Sequence, residues 1–469
     1  MNLDVHYDSL DNGLKIIIVP DTNVAVVSSR LYYFVGSMYE GPGTSGLSHM
    51  YEHMMFKGTK TIGTTNYEAE IPIMNSIDSL GKLMQEIQQQ RPRPDNADSL
   101  RQAYREQMGE LLKKQREYIK KDEIWELYMN NGGTHLNAWT ADDMTAYIVT
   151  LPANKIDLFY WIESDRMANP VLREFYSERD VVAEERRMRY DNKPLHRYFE
   201  RLMAKFYTAH PYRIPTIGWM SDIQAYTREK MKNHINRYYT PDNALIVLVG
   251  KIDPQQAVKD IDKYFGSIPR SSTSKQEVVT REPGAIGETR FVVHDDAQPR
   301  IDILFHTPGY PHDDLYRLDV IESLFNGRSG RLYQRLVTEE GLATSAGAGN
   351  AYRLHDGYFH LYATLKRGVD PEQVEKIIME ELQELIDNPP SEKEMQRIRN
   401  SIKKSFVTRL ESLEGLSDQL AWFERLRSWE DMQLYPQKIG EIKPQEIPQT
   451  VKTYFDPSLK TVGILRDKK

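Results

Sequence analysis

Residues 235–250, INRYYTPDNALIVLVG, and 451–466, VKTYFDPSLKTVGILR, align without a gap. Ile235 falls on Val451, Tyr238 on Tyr454 and Pro241 on Pro457, an offset of 216 residues. Each stretch reads as the end of an amphipathic helix, a proline-containing turn and a β-branched strand. The helices lead in from YTREKMKNH in one copy and KPQEIPQT in the other. Solenoid repeats run about 20 to 50 residues, so a period this long means two copies of a domain. The chain has room for both, because 469 residues correspond to about two to four domains of ordinary length.

The seam lies in GSIPRSSTSKQEVVTREPGAIGE (266–288), where Ser, Thr, Pro and Gly displace periodic apolar residues. This predicts a first domain over 1–265, a linker over 266–288 with the boundary near 275, and a second domain over 289–469. Strands open each half (LKIIIVP and VAVVSSRLYYFVG; TRFVVHD and RIDILFHTP), helical stretches follow, and a strand closes it. Strands grouped before helices argue for an α+β fold, a sheet with helices on one face. The first half carries an extra piece, from about 74 to 128. Met74, Ile77, Leu80, Met84 and Ile87 recur at threes and fours, RPRPDN (91–96) breaks the run, and Leu100, Tyr104, Met108, Leu111, Gln115 and Tyr118 resume it. That pattern predicts a helical hairpin rather than a catalytic element.

The composition, 40% hydrophobic and 28% charged, is that of a globular protein, and no apolar run approaches the length of a membrane span. The net charge of −7 is spread along the chain, so neither nucleic acid nor an anionic membrane surface is the natural partner. The basic cluster KKQREYIKK (113–121) reads as a solvated helix face. The first apolar stretch, LKIIIVP, is too short for a signal peptide, although a leader removed before Met1 stays open as an alternative.

In GLSHMYEHMMFKGT (46–59), a helix expected over about Thr44 to Phe56, His49 and His53 stand four apart with Glu52 between them. Positions i and i+4 share a helix face about 5 to 6 Å apart, so the two imidazoles can meet on one metal ion. Glu52 beside them is placed to reach a metal-bound water as a general base, in the order HxxEH. The plainer reading is a core helix with two satisfied histidines; burying three polar groups without partners would cost roughly 1 to 3 kcal/mol each. With no cysteine in the chain, a third zinc ligand must be another His or a carboxylate. FYSERDVVAEERRMRYDN (175–192) offers Glu178 and Glu185, seven apart and on nearly one helix face. On its residues alone this segment also reads as a solvated helix with salt bridges.

HxxEH followed far downstream by ExxxxxxE, in a chain of two homologous halves, closely resembles the M16 peptidases, the pitrilysin and mitochondrial-processing-peptidase family of zinc proteases. VGSMYEGPGTSGLSHMYEHMMFKGT, GGTHLNAWTADDMTAY (132–147), LPANKIDLFYWIESDRM, ERDVVAEERRM, HPYRIPTIGW (210–219) and YYTPDNALIVLVG look like the family's segments in the family's order. The resemblance implies two homologous α/β-roll domains of LuxS/MPP-like metallohydrolase architecture. It implies one zinc ion per chain, held by His49, His53 and Glu185, with Glu52 as general base and Glu178 as the second carboxylate, orienting the site. Glu52 would take the proton of a zinc-activated water and return it to the leaving amine. Substrate would add as a strand along HLNAWT (135–140), with Asn137 and Ala138 as contacts, which suits unfolded peptides. The interval from His53 to Glu185, 132 residues, exceeds the family's usual spacing, and the helical hairpin accounts for the excess, as in a bacterial subgroup that carries such an insertion.

The chain also departs from the family. Self-sufficient members place an Arg and, seven residues later, a Tyr in a second-half segment resembling LRxxxGLAY. The matching LVTEEGLATS (336–345) has Val337 and Thr344 there. Two accounts fit: a homologous M16 subunit supplies the pair in a heterodimer, with this chain as the zinc-bearing subunit, or the chain acts alone with an altered grip. A third, of another class, is a non-catalytic scaffold or assembly subunit. The resemblance points to the bacterial periplasm or cell envelope, with the cytoplasm as the alternative.

Overall fold

In a computed structural model of the chain, which describes residues 3–92 and 94–468, the strand that ends each repeat lies inside a sheet rather than at its rim. Contacts divide the chain into two units. One comprises residues up to Arg187 together with Ile214–Val278, and the other comprises Met188–Arg213 with the residues from Val279 onward.

The first unit's sheet is built from β1 (His6–Ser9), β2 (Lys15–Pro20), β3 (Val26–Tyr33), β4 (Thr134–Thr140), β5 (Thr145–Pro152) and β6 (Ala244–Gly250). Their order is β1-β2-β6-β3-β5-β4. The last strand in sequence, β6, runs parallel to β2 and antiparallel to β3. Every residue of β6 is buried, which explains why ALIVLVG is a continuous apolar run without alternation. Burying a Val, Leu or Ile side chain contributes about 1.5 to 3 kcal/mol, so this strand anchors the unit. At its end Gly250 has φ +140°, and a Cβ there would stand 2.2 Å from the carbonyl oxygen of Val26, leaving room for no other residue.

The second unit's sheet holds β7 (Thr289–Asp295), β8 (Arg300–Thr307), β9 (Ala343–Ala351), β10 (Gly357–Leu365) and β11 (Thr461–Asp467), in the order β7-β11-β8-β10-β9. Here β11 is parallel to β7 and antiparallel to β8, as β6 is to β2 and β3. The sequence repeat is therefore a repeat of topology, and the expected α+β class with two related domains is observed. The aligned Pro241 and Pro457 each start a one-turn 3₁₀ segment, Pro241–Asn243 and Pro457–Leu459, just before the closing strand. Proline suits that first position because its missing N–H would have no partner there.

Three details differ from expectation. The helical hairpin consists of Tyr67–Gln89 and Ala97–Arg116, packed on each other. Its first helix starts earlier than about 74 because the side chain of Asn66 accepts from the N–H of Ala69 (3.1 Å) and caps it. Of the RPRPDN break, Arg93 lies outside the described residues. Strands β9 and β10 form a pair that the reading from sequence did not single out. Residues 188–213, assigned to the first domain by a cut after 265, belong to the second unit. The cause is the helix Pro194–Phe206, which lies on β7 and β11: the hydroxyl of Tyr198 donates to Oδ2 of the fully buried Asp302 (2.8 Å) and its ring meets Phe291 at 5.9 Å. The stretch from Gly266 to Glu288 carries neither helix nor strand. Among the described residues no helix is long and apolar enough to cross a membrane.

Candidate metal centre

The helix Leu47–Met54 buries Leu47, Met50, Tyr51 and Met54, a stripe at i, i+3, i+4 and i+7 that anchors it to the core. The opposite face carries His49, Glu52 and His53, all half-buried. His53 thus lines a cleft, and neither histidine is fully buried in the core. The helix begins at Gly46, whose φ is +83° and whose Cβ, if present, would meet the carbonyl oxygen of Ile217 at 2.4 Å. No side chain of its own caps the start. The buried Glu40 carboxylate does so from outside, accepting from the N–H groups of Gly46 (2.5 Å) and Ser48 (2.7 Å) at the positive end of the helix dipole. Burial pushes Glu40 up to about 7 against the pull of those donors.

The helix Phe175–Arg186 supplies the carboxylates. Val182 and Ala183 bury its core side, and Arg186 donates to the carbonyl oxygen of Gly218 (2.7 Å) near its end. Glu185 Oε2 stands 3.7 Å from His49 Nε2 and 3.3 Å from His53 Nε2. One ligand atom from each of the three residues lies within 4.8 Å of the others, and among the described residues no other trio could hold a metal in this way. Ligands about 2.0–2.1 Å from a tetrahedral zinc ion stand roughly 3.3–3.5 Å apart, so His53 and Glu185 already have that spacing and the donor set suits zinc once His49 draws slightly closer.

Glu178, two turns before Glu185, does not join that trio. Its Oε1 lies 2.9 Å from His53 Nδ1 and its Oε2 lies 2.7 Å from Lys57 Nζ. Donation from Nδ1–H to this carboxylate orients the ring so that Nε2 faces Glu185, the usual task of a carboxylate behind a metal-binding histidine. Burial alone would raise Glu178, but His53 and Lys57 outweigh it and hold the carboxyl below its ordinary value. Burial likewise disfavours charge on His53, and hydrogen bonds to Glu178 and Glu185 lift it instead to about 9. Replacing Glu178 by Ala should weaken zinc binding about 10- to 100-fold, read by competition with a chelator. Glu178→Gln, whose amide oxygen still accepts from His53, should lose far less.

Strand β4 forms the sheet edge above these residues. Asn137 and Ala138 pair on one side with Ile148 and Tyr147 of β5, and both line a cleft of about 260 Å³ together with Glu52, His53, Lys57 and Glu178. Thr140, two residues beyond Ala138, donates from Oγ1 to Glu52 Oε2 at 2.6 Å. Strand alternation puts Ala138 and Thr140 on one face, a signal present in HLNAWT but not used. Losing a hydrogen bond to a charged group costs about 1.5 to 3 kcal/mol. Thr140→Val should therefore lower kcat/KM for a peptide by about tenfold or more while leaving zinc content unchanged.

Two further contributions were invisible from spacing. Residues 119–122, just beyond the hairpin, line the same cleft. Arg173 (1% exposed) is buried against Glu70 (0%), donating to both of its carboxylate oxygens and to the carbonyls of Lys57 (2.6 Å) and Thr59 (3.0 Å). In the second unit, Val337 lies on the helical turn Gln334–Glu339, and Thr344 is exposed on the edge strand β9, its hydroxyl donating to Thr364 O.

Comparison with known proteins places these residues among peptidases. The family described as Insulinase (Peptidase family M16) matches residues 15–79 and 111–218, and the family described as Peptidase M16 inactive domain matches residues 225–402. The unmatched gap within the first match, 80–110, falls in the helical hairpin. The chain is 26% identical over 467 residues to zinc protease PqqE of Helicobacter pylori, covering 98% of this chain and 92% of that one. A crystal structure of a protease from Helicobacter pylori superposes with a TM-score of 0.83 at 25% identity, over 99% of this chain and 100% of the other. The periplasmic protease PqqL from Escherichia coli shares the fold, with a TM-score of 0.73 at 17% identity, over 99% of this chain and 48% of PqqL.

Proposed function

The chain belongs to peptidase family M16, and from that premise we propose that it is a zinc-dependent endopeptidase for unfolded peptides, acting as the zinc-bearing subunit of a heterodimer. The observation that carries the reading is the convergence of His49, His53 and Glu185 on one point, with Glu52 on the same helix face and an edge strand alongside. The relatives named zinc protease support zinc as the ion, one per chain.

Each residue then has a task. His49, His53 and Glu185 hold the ion, and Glu178 holds His53. Zinc, when bound, supplies Lewis acidity that lowers the pKa of a coordinated water and polarises a carbonyl. Glu52, oriented by Thr140, accepts a proton from water and delivers it to the amine leaving group. The backbone of Asn137 and Ala138 pairs with an extended substrate on the free side of β4, so binding reads extension more than side chains. Folded proteins offer no such strand, which restricts the enzyme to unfolded segments.

The heterodimer rests on Val337 and Thr344, which stand where self-sufficient relatives have Arg and Tyr. A homologous subunit carrying that pair completes the grip on substrate. The likeness to a protease described as periplasmic supports a place in the bacterial cell envelope. The test is hydrolysis of a quenched unstructured peptide by the zinc-loaded chain, alone and with a homologous subunit that carries the Arg and Tyr. Cleavage that needs both chains is the expected result. Full activity of the chain alone would remove the heterodimer, and zinc binding without cleavage under any pairing would make the chain a scaffold.

A further inference from the structure

The first unit holds another cavity, of about 280 Å³, between the helical hairpin and the helix Phe175–Arg186. Arg101 and Arg105 of the hairpin and Arg179 of the helix line it, and the sole acidic residue among its described lining is Asp180. Two hydrogen bonds fix the antiparallel register of the hairpin: Gln115 Nε2 donates to Glu70 Oε1 (3.2 Å), and Arg101 Nη2 donates to Gln88 Oε1 (3.4 Å). Gly81 lies eleven residues past Glu70 and seven before Gln88, so it stands level with residues 104–108 of the second helix, Arg105 among them. The ring of Tyr176 rests on Gly81, where a Cβ would meet its hydroxyl oxygen at 2.2 Å. The Arg179 guanidinium lies over that ring, 5.2 Å from its centroid. Arg105 and Arg179 therefore stand at one level of the hairpin, and Arg101 follows one turn away on the face that carries Arg105.

This positive charge is under-compensated. Arg179 reaches Asp180 Oδ1 at 3.3 Å, but that carboxylate is 75% exposed. Arg101 donates to the neutral Gln88, and Arg105 has no hydrogen-bond or ion-pair partner among the described residues. The Nε–H groups of Arg101 and Arg179 are buried without an acceptor, whereas buried donors in native proteins are paired with few exceptions. Water could accept those hydrogens but brings no charge. A phosphate group brings nearly two negative charges and three acceptor oxygens, and it takes guanidinium groups in pairs of parallel bonds.

We propose that this cavity binds a phosphate group, as the free ion or as a monoester, held by Arg101, Arg105 and Arg179. Bound there, it ties the inserted hairpin to the helix that carries Glu178 and Glu185. The inference holds whether or not the chain cleaves peptides.

Calorimetric titration of the full zinc-loaded chain with inorganic phosphate and with glycerol 2-phosphate, at an ionic strength held constant with chloride, tests it. Saturable binding is expected, and the tighter of the two ligands shows whether the cavity prefers the free ion or the monoester. Zinc can itself take phosphate, so variants read the location. Arg105→Gln, at an exposed position of the hairpin where folding is not at stake, and Arg101→Gln should each weaken binding about tenfold or more, the usual loss on removing a hydrogen bond to a charged group. Absence of saturable binding at millimolar ligand, or binding of unchanged strength when both arginines are replaced, overturns the proposal.

Discussion

Glu52→Gln should lower kcat/KM for an unstructured peptide by about 10²- to 10⁴-fold, the range that a positioned general base contributes, with zinc content unchanged. Glutamine keeps the size of the side chain and an oxygen for the Thr140 hydroxyl, which now donates to Glu52 Oε2 at 2.6 Å. What it loses is the ability to take a proton. His49, His53 and Glu185 do not depend on Glu52 for their positions: the helix is held by its apolar stripe and by Glu40, and His53 is oriented by Glu178. Metal analysis beside kinetics therefore separates a lost base from a lost site. Activity within a few-fold of the parent enzyme would mean that another group moves the proton.

The second large effect concerns stability. Arg173 and Glu70 are almost completely excluded from solvent, and removing one partner of a buried pair costs about 3 to 5 kcal/mol because the other charge stays behind unpaired. For a unit of this size, Arg173→Ala should lower the melting transition by roughly 6 to 20 °C, measured by calorimetry on the zinc-free chain. The double variant Arg173→Met with Glu70→Met should recover part of the loss, since matched apolar residues often replace a buried pair at little cost. Recovery stays incomplete because the carbonyls of Lys57 and Thr59 then lose the guanidinium that serves them. Those carbonyls flank the turn that leaves the metal helix, so the single variant should also release zinc to a chelator more readily. A drop of less than a degree would show that solvent or neighbouring groups already compensate Glu70.

Local periodicity carried much of the argument. The two histidines and Glu52 are legible because one helical turn brings them together, and the repeat is legible because a helix, a proline turn and a β-branched strand leave a strong pattern twice. Long-range partners left no such mark. Arg173 and Glu70 are 103 residues apart, and nothing in either neighbourhood announces the other. Strand β9, ATSAGAGNA, is an edge strand of small residues with little alternation to detect. The helix Pro194–Phe206 sits in sequence between segments of the first unit and packs in the second, a choice made by Tyr198 and Asp302 that no local propensity encodes. Glu185 looked like one charge among many on a polar helix until the family's spacing singled it out.

The placement of β6 bears on how the protein is made. The strand that joins β2 to β3 is the last of its sheet to leave the ribosome. Until residue 250 has been synthesised, β2 and β3 each expose an unpaired edge, and the nascent chain carries apolar surface with no cover. The second unit repeats the order, with β11, the last strand of its sheet in sequence, arriving between β7 and β8. Each half must therefore be complete before it can close, so the chain emerges as two slow, all-or-none folding steps, each beginning with a span in which a chaperone is the natural occupant of the gap.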